Sequence, residues 1–406
     1  MKHEVMTETE NKTGVRSLSI VMPCLNEAVT LETCISRAKK FLSTLEIPSE
    51  IIIADNGSTD GSIEMAINAG VKCLKVQEKG YGAALHYGIM AASGSHIIFG
   101  DSDDSYHFDE CRPFYEKLNQ GADLVVGNRF RGGVEKNAMP FLHRYLGTPV
   151  ISFMGRTAFE VPFTDFNCGL RAISKSAYLE LGMQARGMDF ITEMLAKAGH
   201  KKMTIEEVPV RLYKDGRNRP PHLKTWQDGW RQFRQIIMLS PKWPLLFPAL
   251  FFLILGLVIF SALLFSRIRI ASVNLDIHTF FFGSVFFLLG LQLFLFYLLM
   301  RFYGFRMEYH SLTGFEARIF RTFRFEKGLL LGALVFLAGL LLSSLAVLQW
   351  ANADFGDLNP MRTFRLVIPG GMGIMAGAQI IVFSFLLHAL VTFKVKFENH
   401  PPQWLK

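Results

Sequence analysis

The stretch HIIFGDSDDSYHF, residues 96–108, is the most informative part of the sequence because a short apolar run leads directly into a group of carboxylates. Residues 97–99 are apolar, and Asp101, Asp103 and Asp104 follow within five positions. Such a run predicts a buried strand that delivers its polar residues to one edge of a sheet. Three close carboxylates repel one another unless a cation lies between them. The pattern therefore indicates a metal site, and a simple turn rich in Asp and Ser is the alternative.

Two further strand ends carry polar residues. VMPCLNEA places Asn26 and Glu27 after the first predicted strand, and IIIADNGSTDGS places Asp55 after the second. The predicted strands are residues 17–22, 50–54, 71–76, 96–100 and 123–127, and the predicted helices are residues 28–42, 62–69 and 80–93. This alternation predicts an α/β domain with a mostly parallel, doubly wound sheet. Ligands bind outside the carboxyl ends of such strands, which favours a nucleotide here.

The chain beyond Leu239 has a different composition. Four long runs contain no charged residue, namely 244–265, 277–300, 328–348 and 366–391. Each run can cross a hydrocarbon core of about 30 Å, so the sequence predicts an all-α, four-helix transmembrane domain over 244–392. The predicted organisation is a tail (1–15), an α/β domain (16–223), an interfacial amphipathic helix (224–243), the membrane domain and a second tail (393–406). The N-terminal residues lack an apolar core, and we expect no signal peptide.

The loop between the second and third runs is basic. It holds Arg301, Arg306, Arg318, Arg321, Arg324 and Lys327. The positive-inside rule places this loop in the cytoplasm, and four spans then place both termini and the α/β domain on the same side. The formal charge of +8 fits anionic lipid headgroups better than nucleic acid. Five scattered cysteines without a CxxC pair predict reduced thiols and no zinc site.

An ordered series of motifs carries a family resemblance. In chain order the motifs are MPCLNE, ADNGSTDGS, KGYGAAL, GDSDDSY, GNRF and DFNCGLRA. From residue 17 to about residue 239 the chain resembles inverting family 2 glycosyltransferases with the GT-A fold. The nearest likeness is to polyprenyl-phosphate sugar synthases, such as dolichol-phosphate mannose synthases and undecaprenyl-phosphate glycosyltransferases.

The resemblance implies a donor site that holds a nucleotide sugar and a divalent cation. Asp101-Ser102-Asp103 matches the DxD element, which implies Mg²⁺ or Mn²⁺ on Asp103 and Asp101. By the resemblance Asp101 lies near the ribose, the metal or the acceptor, and Ser105, where the family often has Gln, is a third predicted metal ligand. The residues implied to bind the nucleotide sugar are Pro23, Asn26, Glu27, Asp55, Gly80, Ala83, Asp101, Ser102, Asp103, Arg217 and Arg219.

The resemblance also implies a site for a lipid phosphate. Arg129 in GNRF matches the first phosphate-binding arginine of the family, and Arg144 with Thr148 in HRYLGT matches an Arg/Ser pair. The family's basic loop corresponds to RLYKDGRNRPPHLK (211–224), where Lys214, Arg217 and Arg219 are the available cations. Asp101, Asp103, Arg129 and Arg144 are therefore the predicted catalytic residues. Asp189 and Glu193 position the sugar, shape the acceptor loop or lie on a solvated helix face.

The predicted function is transfer of one hexose from a UDP- or GDP-sugar to a polyprenyl phosphate at the cytoplasmic leaflet of the inner membrane. The product would supply glycan or cell-envelope assembly. A processive polysaccharide synthase is one alternative, although no QxxRW-like element follows the α/β domain. A non-catalytic flippase or scaffold is the other. Gly373 and Gly377 have a spacing that suits close helix packing, either within one chain or in a homo-oligomer.

Overall fold

The computed structural model describes residues 16–217, 225–264, 267–270 and 273–392. The chain divides into two compact units, which meet in sequence between Ile236 and Ile237. The N-terminal unit is an α/β domain, and the C-terminal unit consists mainly of long apolar helices. Each unit is described by itself below.

The N-terminal unit is built on a seven-stranded sheet. Its strands are β1 (Leu18–Cys24), β2 (Ser49–Asp55), β3 (Lys72–Lys75), β4 (His96–Phe99), β5 (Leu124–Asn128), β6 (Arg171–Ser174) and β7 (Ile205–Pro209). The spatial order is β3-β2-β1-β4-β6-β5-β7, and β6 runs antiparallel to both of its neighbours. The other pairings are parallel, which confirms the predicted sheet class.

Helices cover the sheet. They are α1 (Leu31–Leu42), α2 (Ser62–Asn68), α3 (Tyr81–Met90), α4 (Arg112–Asn119), α5 (Arg129–Gly132), α6 (Thr148–Phe159), α7 (Lys175–Leu181) and α8 (Phe190–His200). The next helix, α9 (Thr225–Leu239), crosses the sequence boundary between the two units. Strand β1 is buried along its whole length, as expected for a parallel strand covered on both faces. The predicted strands coincide with β1 to β5, whereas β6 and β7 were not predicted. Both are short, β6 reads RAIS and β7 reads IEEVP, so neither contains the apolar run that predicts a buried strand.

The C-terminal unit contains helices α10 (Phe247–Leu263), α11 (Ile277–Arg306), α12 (Gly314–Thr322), α13 (Phe325–Ala351) and α14 (Pro360–Thr392), and a two-stranded hairpin of β8 (Ile268–Ile270) and β9 (Val273–Leu275). Within the described ranges, four helical segments are long and apolar enough to span a membrane: Lys242–Leu263, Ile277–Arg306, Phe325–Ala351 and Pro360–Thr392. They contain the four predicted runs almost entirely, and three of them extend well beyond the predicted ends.

Glycines allow α13 and α14 to pack closely. A Cβ atom at Gly377 would lie 2.5 Å from the backbone nitrogen of Phe336, and one at Gly339 would lie 2.4 Å from that of Ile374. Gly373 lies against Gly339 in the same contact. The spacing of Gly373 and Gly377 therefore serves packing within one chain.

One arginine of the basic loop is not a free surface cation. Arg301 belongs to the last turns of α11 and is buried in a two-pronged ion pair with Glu316 of α12, with contacts of 2.7 and 2.8 Å. Burial alone would raise the pKa of Glu316, but hydrogen bonds from Arg301, Tyr297 and Thr313 lower it to about 2. The ion pair of Arg301 therefore holds α12 against α11. The net positive charge of this loop comes from the remaining arginines and lysine.

Candidate active site

The carboxyl ends of β1, β2 and β4 meet at one edge of the sheet. Strand pairing aligns Cys24 with Asp55 and Val21 with Phe99, so the loops that follow these strands lie side by side. These loops carry most of the residues predicted to bind a nucleotide sugar. Three buried or half-buried acids, Glu27, Asp101 and Asp103, surround one cation at this edge.

Several predicted donor residues build the walls of this site. The carboxylate of Asp55 is 2% exposed and accepts the backbone N–H groups of Gly57 and Ser58 at 2.8 to 3.2 Å. Asn26 has a left-handed backbone (φ 58°), and its side-chain oxygen accepts the N–H of Thr59 at 2.8 Å. The Ser102 hydroxyl is buried and donates to the carbonyl of Pro23 at 2.8 Å. These contacts fix the loops before any ligand binds.

Asp103 is held from two sides. Its Oδ1 accepts the backbone N–H of Ser105 at 3.0 Å and the Ser105 hydroxyl at 2.6 Å, while its Oδ2 lies 2.8 Å from Nη2 of Arg217. The structure thus places Ser105, a predicted metal ligand, as a donor that orients the carboxylate. Hydrogen bonds of this kind position carboxylates that ligate metals.

Asp101 is the second acid of the DxD element. Its Oδ1 accepts the hydroxyl of Tyr81 at 3.0 Å. Burial raises the pKa of Asp101 to about 6, and the charge of Asp103 acts in the same direction. Two neighbouring acids with one strongly raised pKa are typical of a site that gains from a bound cation.

Arg217 is the cation at the centre of the site. Besides Asp103, it contacts Glu27 through Nε and Nη2, both at 3.1 Å. Burial opposes its charge, but Asp103 and Glu27 raise the pKa of Arg217. Of the three basic candidates, the structure places Arg217 on the carboxylates and leaves the Lys214 side chain exposed; Arg219 lies outside the described residues.

The backbone of the basic loop is tied to the DxD loop. Gly216 donates its N–H to the carbonyl of Asp103, and Tyr213 donates to that of Ser105, both at 3.0 Å. The Tyr213 ring also stacks on His107 with a centroid distance of 3.5 Å. These contacts bring Arg217 to the carboxylates.

The donor set fits a divalent metal that shares its coordination with a substrate. Among the described residues, no group of three His, Cys, Asp or Glu side chains can form a complete cage. Mg²⁺ and Mn²⁺ are hard cations, and Mg²⁺ usually binds through one or two carboxylates and substrate phosphates. Asp101 and Asp103 offer only oxygen ligands, and Arg217 already lies where positive charge is needed. The residues therefore suit Mg²⁺ or Mn²⁺ together with a diphosphate.

The glycine segment before α3 has a packing role. Gly80 donates its N–H to the side chain of Asn56 at 2.8 Å, and Ala83 donates to the carbonyl of Arg186 at 2.8 Å. A Cβ atom at Gly80 would lie 2.2 Å from that same carbonyl oxygen. Ala83 is fully buried. The amide and the methyl group of Ala83 both face the protein, and its predicted contact with the nucleotide sugar stays a prediction.

The two predicted acceptor arginines have different surroundings. Arg129 is buried and forms a two-pronged ion pair with Asp165, with contacts of 2.7 and 2.8 Å. Arg144 is half-exposed, stacks over Tyr145 at 5.5 Å and has no carboxylate partner among the described residues. Thr148 is buried at the start of α6. Arg144 therefore has a guanidinium group available for an anion, whereas that of Arg129 is already neutralised.

Glu193 is not on a solvated face. It is buried, forms an ion pair with Lys197 at 2.9 Å and accepts the N–H groups of Gln184 and Ala185. Asp189 accepts the N–H of Gly187 at 3.1 Å. Both acids shape the loop that packs on the glycine segment. A solvated helix face is therefore wrong for Glu193, and these contacts favour a role of the pair in shaping the loop.

Sequence reasoning missed Tyr81 and Asp165. Both lie inside quoted motifs, KGYGAAL and DFNCGLRA, but neither residue type is diagnostic in isolation. Tyr81 reaches Asp101 only because the start of α3 lies beside the loop that follows β4. Asp165 contacts Arg129 although the two residues are 36 positions apart in the chain. In the sequence, only their positions inside these two motifs could have identified Tyr81 and Asp165 as site residues.

Comparisons with known proteins agree with this geometry. Residues 19–182 match the family described as "Glycosyl transferase family 2", and residues 298–391 match its "C-terminal transmembrane region". The low-salt glycan biosynthesis hexosyltransferase Agl6 of Haloferax volcanii is 30% identical over 92% of this chain and 89% of its own length. Glycosyltransferase AglJ of the same organism is 25% identical over 52% of this chain and 68% of its own length.

A solved structure of glucosyl-3-phosphoglycerate synthase from Mycobacterium tuberculosis, in complex with Mn²⁺, UDP-glucose and phosphoglyceric acid, is also similar. It shares 23% identity and a TM-score of 0.42, and the match covers 55% of this chain and 78% of that protein. A likeness of this strength supports no inference about ligands.

Proposed function

The chain belongs to glycosyltransferase family 2, and from this premise we propose that it transfers one hexose to a membrane polyprenyl phosphate. The donor is a UDP- or GDP-hexose, and the transfer inverts the anomeric configuration. The observation that carries the proposal is the cluster of Glu27, Asp101 and Asp103 around Arg217 at the sheet edge. Such a cluster suits a cation and a diphosphate. The hexosyltransferase Agl6 supports a hexose as the transferred group.

Catalysis in this proposal depends on position and charge. The attacking oxygen belongs to a phosphate that is already anionic, so no strong general base is needed. Arg144 holds that phosphate, because it has no carboxylate partner among the described residues and a charge-assisted contact is worth about 1.5–3 kcal/mol. Arg217 exchanges Glu27 and Asp103 for the departing diphosphate. A bound Mg²⁺ or Mn²⁺ on Asp101 and Asp103 would supply further positive charge there.

Arg129 has a supporting role in this scheme. Its ion pair with the fully buried Asp165 fixes the start of α5, directly after β5. Removing one partner of such a pair would leave an uncompensated buried charge. We therefore assign Arg129 to holding the acceptor side in shape rather than to direct capture of the phosphate.

In this proposal the reaction takes place at the surface of a bilayer, and the four apolar helices support it. We propose that the basic loop between the second and third spans lies in the cytoplasm with the N-terminal unit and both termini, and that the inner membrane is the location. The cations that support this orientation are Arg306, Arg318, Arg321, Arg324 and Lys327, without Arg301. Cysteine labelling from outside intact cells should reach Asn359→Cys but not Ser311→Cys. Labelling at position 311 would contradict the orientation.

The test of the transfer is release of nucleoside diphosphate by the full chain in lipid nanodiscs. A panel of UDP- and GDP-hexoses is supplied with and without undecaprenyl phosphate. We expect rapid release from one donor only when the lipid is present, and we expect EDTA to abolish it reversibly. Equal release with and without the lipid would exclude a polyprenyl phosphate acceptor. Growth of a sugar polymer would favour a processive synthase instead.

A further inference from the structure

The DxD loop, residues 101–105, contains a third aspartate that the proposed transfer does not use. Asp104 follows Asp103 directly, and its carboxylate oxygen Oδ1 accepts the Nε–H of Arg37 on α1 at 3.0 Å. The side chains of Arg37 and Asp104 are 29% and 19% exposed, respectively. Solvent and salt screen a partly buried pair of this kind less than a fully exposed one.

The backbone of Asp104 has a conformation that needs support. Its φ is 61°, in the left-handed region, which residues other than glycine adopt rarely and in which Asp and Asn are the commonest of them. Such a conformation persists where the surrounding contacts hold it. The ion pair with Arg37 is a contact of this kind, because it fixes the Asp104 side chain against α1.

A second contact joins the DxD loop to the start of the same helix. Thr30 immediately precedes α1 and is buried, and its hydroxyl donates to the backbone carbonyl of Ser102 at 2.7 Å. The loop is therefore tied to α1 on both sides of Asp103, through Ser102 before it and Asp104 after it. These two ties fix where the Asp103 carboxylate lies.

The basic loop packs on the same residues. A Cβ atom at Gly216 would lie 2.9 Å from Cγ2 of Thr30 and 3.9 Å from Cβ of Asp104. Gly216 also donates its N–H to the carbonyl of Asp103, and the next residue, Arg217, reaches the Asp103 carboxylate. A displacement of Asp104 would therefore disturb both the predicted metal ligand and the loop that carries its counter-ion.

We propose that Arg37 is a positioning residue for the metal site. Through its ion pair with Asp104, it holds the DxD loop in the conformation that presents Asp103 to a divalent cation and to the donor diphosphate. Arg37 acts only through Asp104. The inference deepens the proposed function and rests on it in one respect, since it takes Asp103 as a metal ligand.

The test separates position from charge. Arg37→Met removes a positive charge near a cation site, so charge alone predicts tighter Mn²⁺ binding. Loss of position predicts the opposite, and we expect weaker binding by about ten- to a hundred-fold, as is typical when an outer partner of a metal ligand is removed. The assay is the free-ion EPR signal of Mn²⁺, with the full chain in nanodiscs without nucleotide.

Two charge-matched controls come from a neighbouring ion pair. Lys40→Met changes α1 by the same charge, and Lys40 is 73% exposed and pairs with Asp109 at 3.0 Å. Arg37 also lies 3.6 Å from Asp109, so Asp109→Asn tests that contact and is the control for Asp104→Asn. We expect Asp104→Asn to weaken Mn²⁺ binding and both controls to leave it within about twofold of wild type. The double variant Arg37→Met/Asp104→Asn should lose no more than the weaker-binding single variant, because both act through one pair.

Three results would overturn the inference: unchanged or tighter Mn²⁺ binding by Arg37→Met, additive losses in the double variant, or an equal loss in Asp109→Asn. If Arg37→Met does not fold, Asp104→Asn against Asp109→Asn decides the question, because Asn keeps the shape of the side chain and tolerates the left-handed backbone. Asp103→Asn in the same assay distinguishes the two proposals. Wild-type Mn²⁺ binding by Asp103→Asn would refute the proposed metal site and this inference together. Loss of binding in Asp103→Asn with none in Arg37→Met would refute the role of Arg37 alone.

Discussion

Arg217→Ala should increase the affinity of the donor-free protein for a divalent cation. In the structure Arg217 occupies the space between Glu27 and Asp103, with its closest contact at 2.8 Å and a side chain only 13% exposed. A metal that binds Asp103 must displace this guanidinium. Its removal therefore eliminates a competitor for the carboxylate and also leaves Glu27 and Asp103 without their counter-ion.

The magnitude follows from the contact that the metal must break. A hydrogen bond to a charged group contributes about 1.5–3 kcal/mol, which corresponds to a factor of roughly 10 to 150 in affinity. Mn²⁺ binding can be followed by the loss of the free-ion EPR signal, using the full chain in nanodiscs without nucleotide. The matched control is Lys214→Ala, which removes an exposed cation from the same loop.

The same substitution should act in the opposite direction on the donor. If Arg217 moves to the diphosphate, Arg217→Ala weakens nucleotide-sugar binding by a comparable factor while Mn²⁺ alone binds more tightly. Unchanged Mn²⁺ affinity in Arg217→Ala would refute the reasoning, because the guanidinium would then not compete for the site. Equal effects of Lys214→Ala would show that only the net charge of the loop matters.

Three further predictions concern the site and its support. Asp103→Asn should reduce turnover by more than about tenfold, or 1.4 kcal/mol in the barrier, without loss of folded, membrane-bound protein; activity above a tenth of wild type would exclude a metal role. Arg144→Ala should reduce turnover at limiting polyprenyl phosphate by about ten- to a hundred-fold and leave donor affinity unchanged; equal losses in both would reassign it to the diphosphate. Burial and then Arg186 lower the pKa of His86 to about 4, so stability should be complete above about pH 6.5 and fall towards pH 4. In thermal unfolding, His86→Gln should lose less stability than wild type between pH 7.5 and 5, and an identical loss would contradict this.

The strand ends were predictable from sequence because each one is a local pattern. The apolar residues 97–99 and the acids at 101 and 103 occupy adjacent positions, and parallel pairing then brings Glu27 to the same edge. The membrane helices were predictable for a similar reason, since length and apolarity suffice. The predicted helices were too short. For example, α11 continues past the predicted end through Arg301, because Glu316 neutralises the charge of this arginine.

The remaining features depend on tertiary contacts that one sequence cannot reveal. Arg129 matched a phosphate-binding position, yet Asp165 neutralises it from 36 residues away. Ala83 matched a ligand-approach motif, yet its amide is bonded to Arg186. The exposure of apolar side chains in residues 141–153, such as Phe141 and Phe153, was also not predicted, because an apolar helix face usually predicts burial. Only the fold shows that the opposite face is the buried one.

The most direct test of the account is the mass spectrum of the lipid after the reaction. The purified full chain in nanodiscs receives Mn²⁺, undecaprenyl phosphate and the donor that it turns over. We expect one new lipid species, undecaprenyl phosphate carrying a single hexose, formed in equal amount with the nucleoside diphosphate and absent for Asp103→Asn. A ladder of longer glycans, or nucleoside diphosphate released while the lipid stays unmodified, would contradict it.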